Sequence, residues 1–162
     1  MRTVCVLMLL GGVALASGCA RQEMQTGPAG LVDTVERDGL AVTIESSQPT
    51  VRAGEELRLV VTVRNTTRRA VRIDARSGAP VYLRLWRNAG LYWNQVKRYP
   101  EAATMILSPW SLPARQQRQF VLALPVEPDW PTGESLKITA EINGRPELEP
   151  SVRVIVHPPI RP

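Results

Sequence analysis

The chain has 162 residues, 20 basic and 15 acidic side chains, a formal net charge of +5, two cysteines and one histidine. That length suffices for one domain with its own core. So few sulfur and imidazole ligands argue against zinc and other N/S metal centres, and the lone histidine leaves no obvious catalytic base.

In chain order, the first feature is the segment Met1–Ala20. One positive charge at Arg2 is followed by an uncharged apolar run from Val4 to Ala16 and then by small residues. This is the three-part layout of a secretory signal. The run is shorter than the roughly 20 apolar residues of a spanning helix, and Gly11 and Gly12 interrupt it. Its end, Leu15-Ala16-Ser17-Gly18-Cys19, resembles the lipobox of bacterial lipoproteins. The resemblance implies cleavage before Cys19 and lipidation of that cysteine. The alternative is an ordinary secretory signal cut near Ser17 or Gly18, leaving a free thiol. Cys5 lies inside the removed segment, so Cys19 has no disulfide partner in the mature chain, and an odd cysteine in an exported protein calls for a role. Several acyl chains on Cys19 would hold the chain at a membrane, each buried CH₂ contributing about 0.8 kcal/mol. In Gram-negative lipoproteins an aspartate after the cysteine favours the inner membrane; Ala20 here implies the outer membrane, periplasmic face.

Residues 19–38 are polar and contain Thr26-Gly27-Pro28-Ala29-Gly30, which predicts a flexible tether. The expected domain covers 39–157, and a proline-rich tail covers 158–162. Within the domain, apolar residues alternate with polar ones. Leu40, Val42 and Ile44 form one such set, and Leu57, Leu59, Val61 and Val63 the next. Val71 and Ile73 follow the turn Asn65-Thr66-Thr67. Val81, Leu83 and Leu85 lead to the turn Asn88-Ala89-Gly90. A less regular stretch offers Met105 and Leu107 as a possible strand. Phe120, Leu122 and Leu124, then Leu136, Ile138, Ala140 and Ile142, and finally Val152, Val154 and Val156 complete the series. Period-two alternation buries one face of each strand. Seven or eight such strands predict an all-β, immunoglobulin-like two-sheet sandwich, and 14 prolines and 11 glycines discourage helices.

Four segments carry a second resemblance. They are Val61-Thr62-Val63-Arg64-Asn65-Thr66-Thr67, Ser77-Gly78-Ala79-Pro80-Val81-Tyr82-Leu83-Arg84-Leu85-Trp86, Leu112-Pro113-Ala114-Arg115 before Phe120, and Trp130-Pro131-Thr132-Gly133-Glu134 before Leu136. From Leu57 to Asn143 they resemble the Ig-like intracellular proteinase inhibitor domain, BsuPI. That resemblance implies an Ig-like fold and, as an alternative function, proteinase inhibition.

No nucleophile motif, metalloprotease helix or phosphate-binding loop occurs. Glu55-Glu56 and Glu147-Leu148-Glu149 read as solvated turn acids, and His157, beside Pro158, reads as a solvated strand end. The expectation is a non-enzyme without cofactor or metal. From Arg52 to Arg98 eleven bases face three acids; these arginines read mainly as solvated outward residues, with anionic lipid, glycan or an acidic partner as the binding alternative. Export and the lack of any nucleic-acid motif argue against nucleic acid. Trp86, Tyr92, Trp93 and Tyr99 cluster near Arg84, Arg87, Lys97 and Arg98. Trp86 falls on the outward side of its strand. Trp, Tyr and Arg are the residues enriched at protein interfaces, so Trp86, Arg84, Arg87 and Tyr92 are the candidate partner-binding set. Trp93, Trp110 and Trp130 are expected to plug the ends of the sandwich. The function that follows is a membrane-anchored envelope lipoprotein serving as a non-catalytic protein-binding or assembly module.

Overall fold

The structure is a computed structural model that describes residues 31–160 apart from 106 and 108. The expected signal segment, Cys19 and the expected tether up to residue 30 lie outside the described residues. The described residues form eleven strands and contain no helix, and so none long and apolar enough to cross a membrane. The strands are β1 (Val32–Arg37), β2 (Leu40–Ser46), β3 (Thr50–Arg52), β4 (Glu56–Asn65), β5 (Val71–Ile73) and β6 (Val81–Asn88). They continue with β7 (Trp93–Tyr99), β8 (Trp110–Leu112), β9 (Gln117–Pro125), β10 (Ser135–Ile142) and β11 (Ser151–His157).

One sheet has the order β1-β2-β4-β9, a second β3-β11-β10-β6-β7, and β5 pairs with β8 separately. All pairings are antiparallel except β3 with β11. The alternation seen in the sequence selects the inner faces. In β4, Leu57, Leu59, Val61 and Val63 are fully buried while Arg58 and Arg64 are exposed. Leu40, Val42 and Ile44 of β2 join them from the first sheet. Leu83 and Leu85 of β6, Leu136, Ile138 and Ile142 of β10, and Val152, Val154 and Val156 of β11 meet them from the second. Full burial of one such side chain contributes roughly 1.5–3 kcal/mol. The all-β sandwich is therefore built as its periodicity predicts.

Four expectations need correction. Eleven strands replace seven or eight. Residues 32–37, expected in the tether, form β1, which pairs with β2 along its whole length. Asp33 accepts a hydrogen bond from the Ser151 backbone N–H at 2.7 Å, and the Thr34 and Thr43 hydroxyls are bonded at 2.8 Å. An edge strand held by backbone and polar bonds needs little apolar alternation, so its pattern is weak. The stretch after Gly90 contains β7, whose side chains are half-buried or exposed and so lack a clear period. Met105 and Leu107 are 90% and 72% exposed and lie outside any strand; the next strand is β8.

Two buried asparagines tie the connections to the sheets. Asn65 donates from Nδ2 to the carbonyls of Arg69, Leu112 and Pro113 and accepts at Oδ1 from Thr67. Asn143 donates to Ser77 Oγ at 2.6 Å and to the Ala79 carbonyl at 2.8 Å, and accepts from the Arg76 N–H at 3.0 Å.

Candidate binding face on the five-stranded sheet

Directly opposed residues of an antiparallel ladder project from the same side of the sheet. The register therefore lays Arg153, Lys137, Trp86 and Gln95 in one row across β11, β10, β6 and β7, on the face away from the core. Ser151, Thr139, Arg84 and Arg98 form the adjacent row. The β6–β7 ladder is irregular between Leu85 and Trp86 and then resumes, which sets Trp93 opposite Asn88 on the same outer face.

Aromatic rings and cations alternate there. The Lys137 ammonium lies 4.7 Å from the centre of the Trp93 ring and 5.3 Å from that of Trp86. The Arg153 guanidinium is 5.7 Å from the centre of the Trp93 ring. Each such contact contributes about 0.5–1 kcal/mol when solvent reaches it, so the layer is ordered before any ligand arrives. Trp86 is anchored further, because its indole Nε1–H donates to Thr139 Oγ1 at 3.0 Å and that hydroxyl donates to Glu149 Oε1 at 2.8 Å. At the other end of the face, the Arg98 guanidinium stacks 3.8 Å above the Tyr82 ring, whose hydroxyl bonds Ser77 Oγ at 2.5 Å.

The hairpin between β6 and β7 extends this face. Ala89 N–H donates to the Tyr92 carbonyl at 2.9 Å and Gly90 N–H to Asn88 Oδ1 at 2.9 Å. Gly90 has a φ of 87°, a conformation that glycine adopts without steric cost. The loop holds Leu91 completely exposed and Tyr92 61% exposed.

The candidate set from the sequence divides three ways. Trp86 lies outward, as its period predicts, and is half-buried. Tyr92 is exposed beside Trp93. Arg84 and Arg87 are engaged within the chain: Arg84 pairs with Glu141 and, at 3.7 Å, with Glu149, and Arg87 pairs with Glu134 at 2.8 Å. Their role is to hold the face rather than to present free charge. Lys137, Trp93, Arg153 and Leu91 were not in that set. Trp93, expected as an end plug, is on the outer face, whereas Trp130 is buried as expected, its Nε1–H donating to the Tyr99 hydroxyl at 3.0 Å. Trp110 is half-buried with its ring edge-on to Phe120. Lys137 and Arg153 stand at outward period-two positions, but only the register shows that they meet the tryptophans. Cys19 lies outside the described residues.

Lys97 points the other way, to Glu127 and, at 3.0 Å, to Asp129. The hydrogen bond to Glu127 is the main cause that raises the Lys97 pKa well above its ordinary value. Burial, partly offset by the Trp130 hydrogen bond, raises that of Tyr99. Glu147 and Glu149 are half-buried rather than freely solvated. Burial acts to raise the Glu147 pKa, but the bond from Arg145 at 2.5 Å and its own backbone N–H bring it below the ordinary carboxylate value. His157 ends β11 half-buried, its carbonyl accepting from Ala53 N–H at 2.9 Å. Among the described residues no group of three or more His, Cys, Asp or Glu side chains could hold a metal ion.

No protein-family model and no curated protein matches this chain. Among solved structures it is similar to the sporulation control protein Spo0M of Bacillus subtilis, with a TM-score of 0.49 and 13% identity over 74% of this chain and 49% of that one. A β-glucosidase of Listeria innocua gives a TM-score of 0.47 and 14% identity over 73% and 16%. The alkylpurine DNA glycosylase AlkC of Pseudomonas fluorescens gives 0.45 and 14% over 80% and 31%. The chain spans half or less of the length of each. At these scores the likeness carries nothing about what this chain binds or does.

Proposed function

We propose that this chain is a lipid-anchored envelope protein whose sandwich domain is a non-catalytic docking module, with the outer face of the five-stranded sheet as its binding surface. The observation that carries the reading is the pre-ordered layer of Trp86, Lys137, Trp93 and Arg153, continued by exposed Tyr92 and Leu91. Rigid aromatic anchors flanked by cations are the kind of residues that dominate protein–protein binding energy, and a face ordered in advance loses little entropy on docking. The anchor rests on the lipobox-like Leu15-Ala16-Ser17-Gly18-Cys19 and the single cysteine left after cleavage. Ala20 favours the outer membrane in a Gram-negative cell. The partner is another envelope protein.

A photo-crosslinking residue placed at Tyr92 of the full chain in cells tests the binding face, with a probe at Arg58, on the opposite sheet, as reference. The expected result is a discrete adduct with a second envelope protein from Tyr92 and none from Arg58. Trp93→Ala in the Tyr92-probe chain should lower its yield about tenfold, the loss of one interface anchor. No adduct at Tyr92, or one indifferent to Trp93→Ala, overturns the face. The anchor is tested separately: Cys19→Ser should move the chain from the membrane to the soluble fraction, and identical fractionation of both chains overturns it.

A further inference from the structure

The two main sheets have four edge strands, and three are defended against pairing. β1 carries Asp33, Glu36 and Arg37 within six residues, β3 is only three residues long and ends in Arg52, and β7 carries Lys97 and Arg98 together with a break in its ladder. Short length, charges and bulges are the usual means by which sheet edges avoid joining other chains. β9 has neither short length nor a bulge, and its one charge, Arg118, stands near its first residue. It is nine residues long and pairs in unbroken register with β4 from Gln117 to Pro125. Its other edge has no strand neighbour among the described residues. From Gln119 to Pro125 it bears no charge, and Val121 at its middle is 73% exposed. Phe120 and Leu122 are only partly buried.

We infer that β9 is a self-association edge, pairing antiparallel with β9 of a second copy about a two-fold axis near Val121. The inference is independent of the lipid anchor and of the partner-binding face. A two-fold axis sets the residue on it against its own copy, so a charge there repels itself. β9 is neutral where the axis would fall. Arg118, its only charge, stands about 10 Å from Val121 along the strand, at roughly 3.4 Å per residue, and would face Leu124 of the other chain. A foreign extended peptide is the competing occupant. Such peptides are selected by pockets for alternate side chains, whereas Gln119, Val121 and Ala123 are all exposed. Pairing two copies joins two four-stranded sheets into one continuous sheet and repeats the Val121 and Ala123 row on one face and the Phe120 and Leu122 row on the other.

The test uses the full chain carrying either of two epitope tags, co-expressed and isolated in mild detergent. Each tag is expected to co-isolate the other. Val121→Cys is expected to form a disulfide-linked dimer under mild oxidation that the parent chain lacks. Val121→Lys should lower co-isolation about tenfold or more, since two lysines would meet at the axis, while the melting temperature stays unchanged. Should that variant melt lower, Val121→Glu, which sets two carboxylates against each other at the same exposed position, takes its place. Absence of co-isolation, co-isolation indifferent to the charge, or capture of a different protein by the new cysteine would each overturn the inference.

Discussion

Replacing Asn65 by leucine probes how firmly the β8–β9 connection is fixed to the first sheet. The side chain is 1% exposed and makes five hydrogen bonds, with distances of 2.7–3.0 Å. Leucine keeps the branching, with bulkier methyl ends, but offers no donor or acceptor. The bond to the Leu112 carbonyl is fully buried, and orphaning such an acceptor costs about 1–3 kcal/mol. The other four are partly reached by water and contribute about 0.5–1.5 kcal/mol each. They do not simply add, because two Nδ2 hydrogens serve three carbonyls. A loss of about 3–5 kcal/mol results, a large share of the roughly 5–15 kcal/mol typical of a domain. It corresponds to a fall in melting temperature of about 10–20 °C. Asn65→Asp keeps the bonds accepted from Thr67 but turns a carboxylate oxygen towards three carbonyls, so it should destabilise at least as much. Urea unfolding followed by tryptophan fluorescence measures both, with a lower midpoint and an unchanged slope as the expected signature. If Asn65→Leu stays within about 1 kcal/mol of wild type, water replaces these bonds at little cost and the pinning role is refuted.

Two further outcomes follow from the same geometry. Lys97 and Tyr99 both have folded-state pKa values above their ordinary ones. Their contribution to stability is therefore complete below those ordinary values, about 10.4 and 10, and is lost as pH rises through the folded ones. Thermal melts should be flat from about pH 8 to 9.5 and fall steeply above about pH 10, and Lys97→Met should shrink that alkaline loss; an equal loss in both chains would refute the assignment. Gly144 has a φ of 92°, and an added Cβ would lie 2.5 Å from the Asp74 carbonyl oxygen. Gly144→Ala should cost about 2 kcal/mol or more, read as a lower urea midpoint, and an unchanged midpoint would show that the Asp74 backbone yields freely.

The core was legible because burial of one strand face leaves a direct imprint on sequence. β2, β4, β6, β10 and β11 all carry fully buried residues at every second position. The strands that were missed or displaced are those the core does not write. β1 and β7 are held through backbone bonds and polar side chains, and β3 and β8 have three residues each, too few to show a period, whereas β5, equally short, falls where Val71 and Ile73 predict it. The proposed binding face was half legible. Trp86 and Tyr92 stand out by residue type and position. Lys137 and Arg153 look like ordinary solvated cations until the register sets them beside Trp86 and Trp93. Arg84 and Arg87 stand out as arginines beside the aromatic cluster, yet their carboxylate partners come from β10, the segment just before it and the β10–β11 connection, separations that reading along the chain does not reveal.

The parallel pairing of β3 with β11 bears on how the domain is made. β3 is laid down early, but its only strand partner among the described residues is β11, through Thr50 with Ile155 and Arg52 with His157. β11 also completes the inner face by supplying Val152, Val154 and Val156. Closing so long a loop is slow, since its entropy is spent before any contact compensates it. A chain emerging from a ribosome would thus hold an incomplete second sheet until β11 is free. Until then the edge of β10 that β11 pairs stays open, along with the core residues facing it.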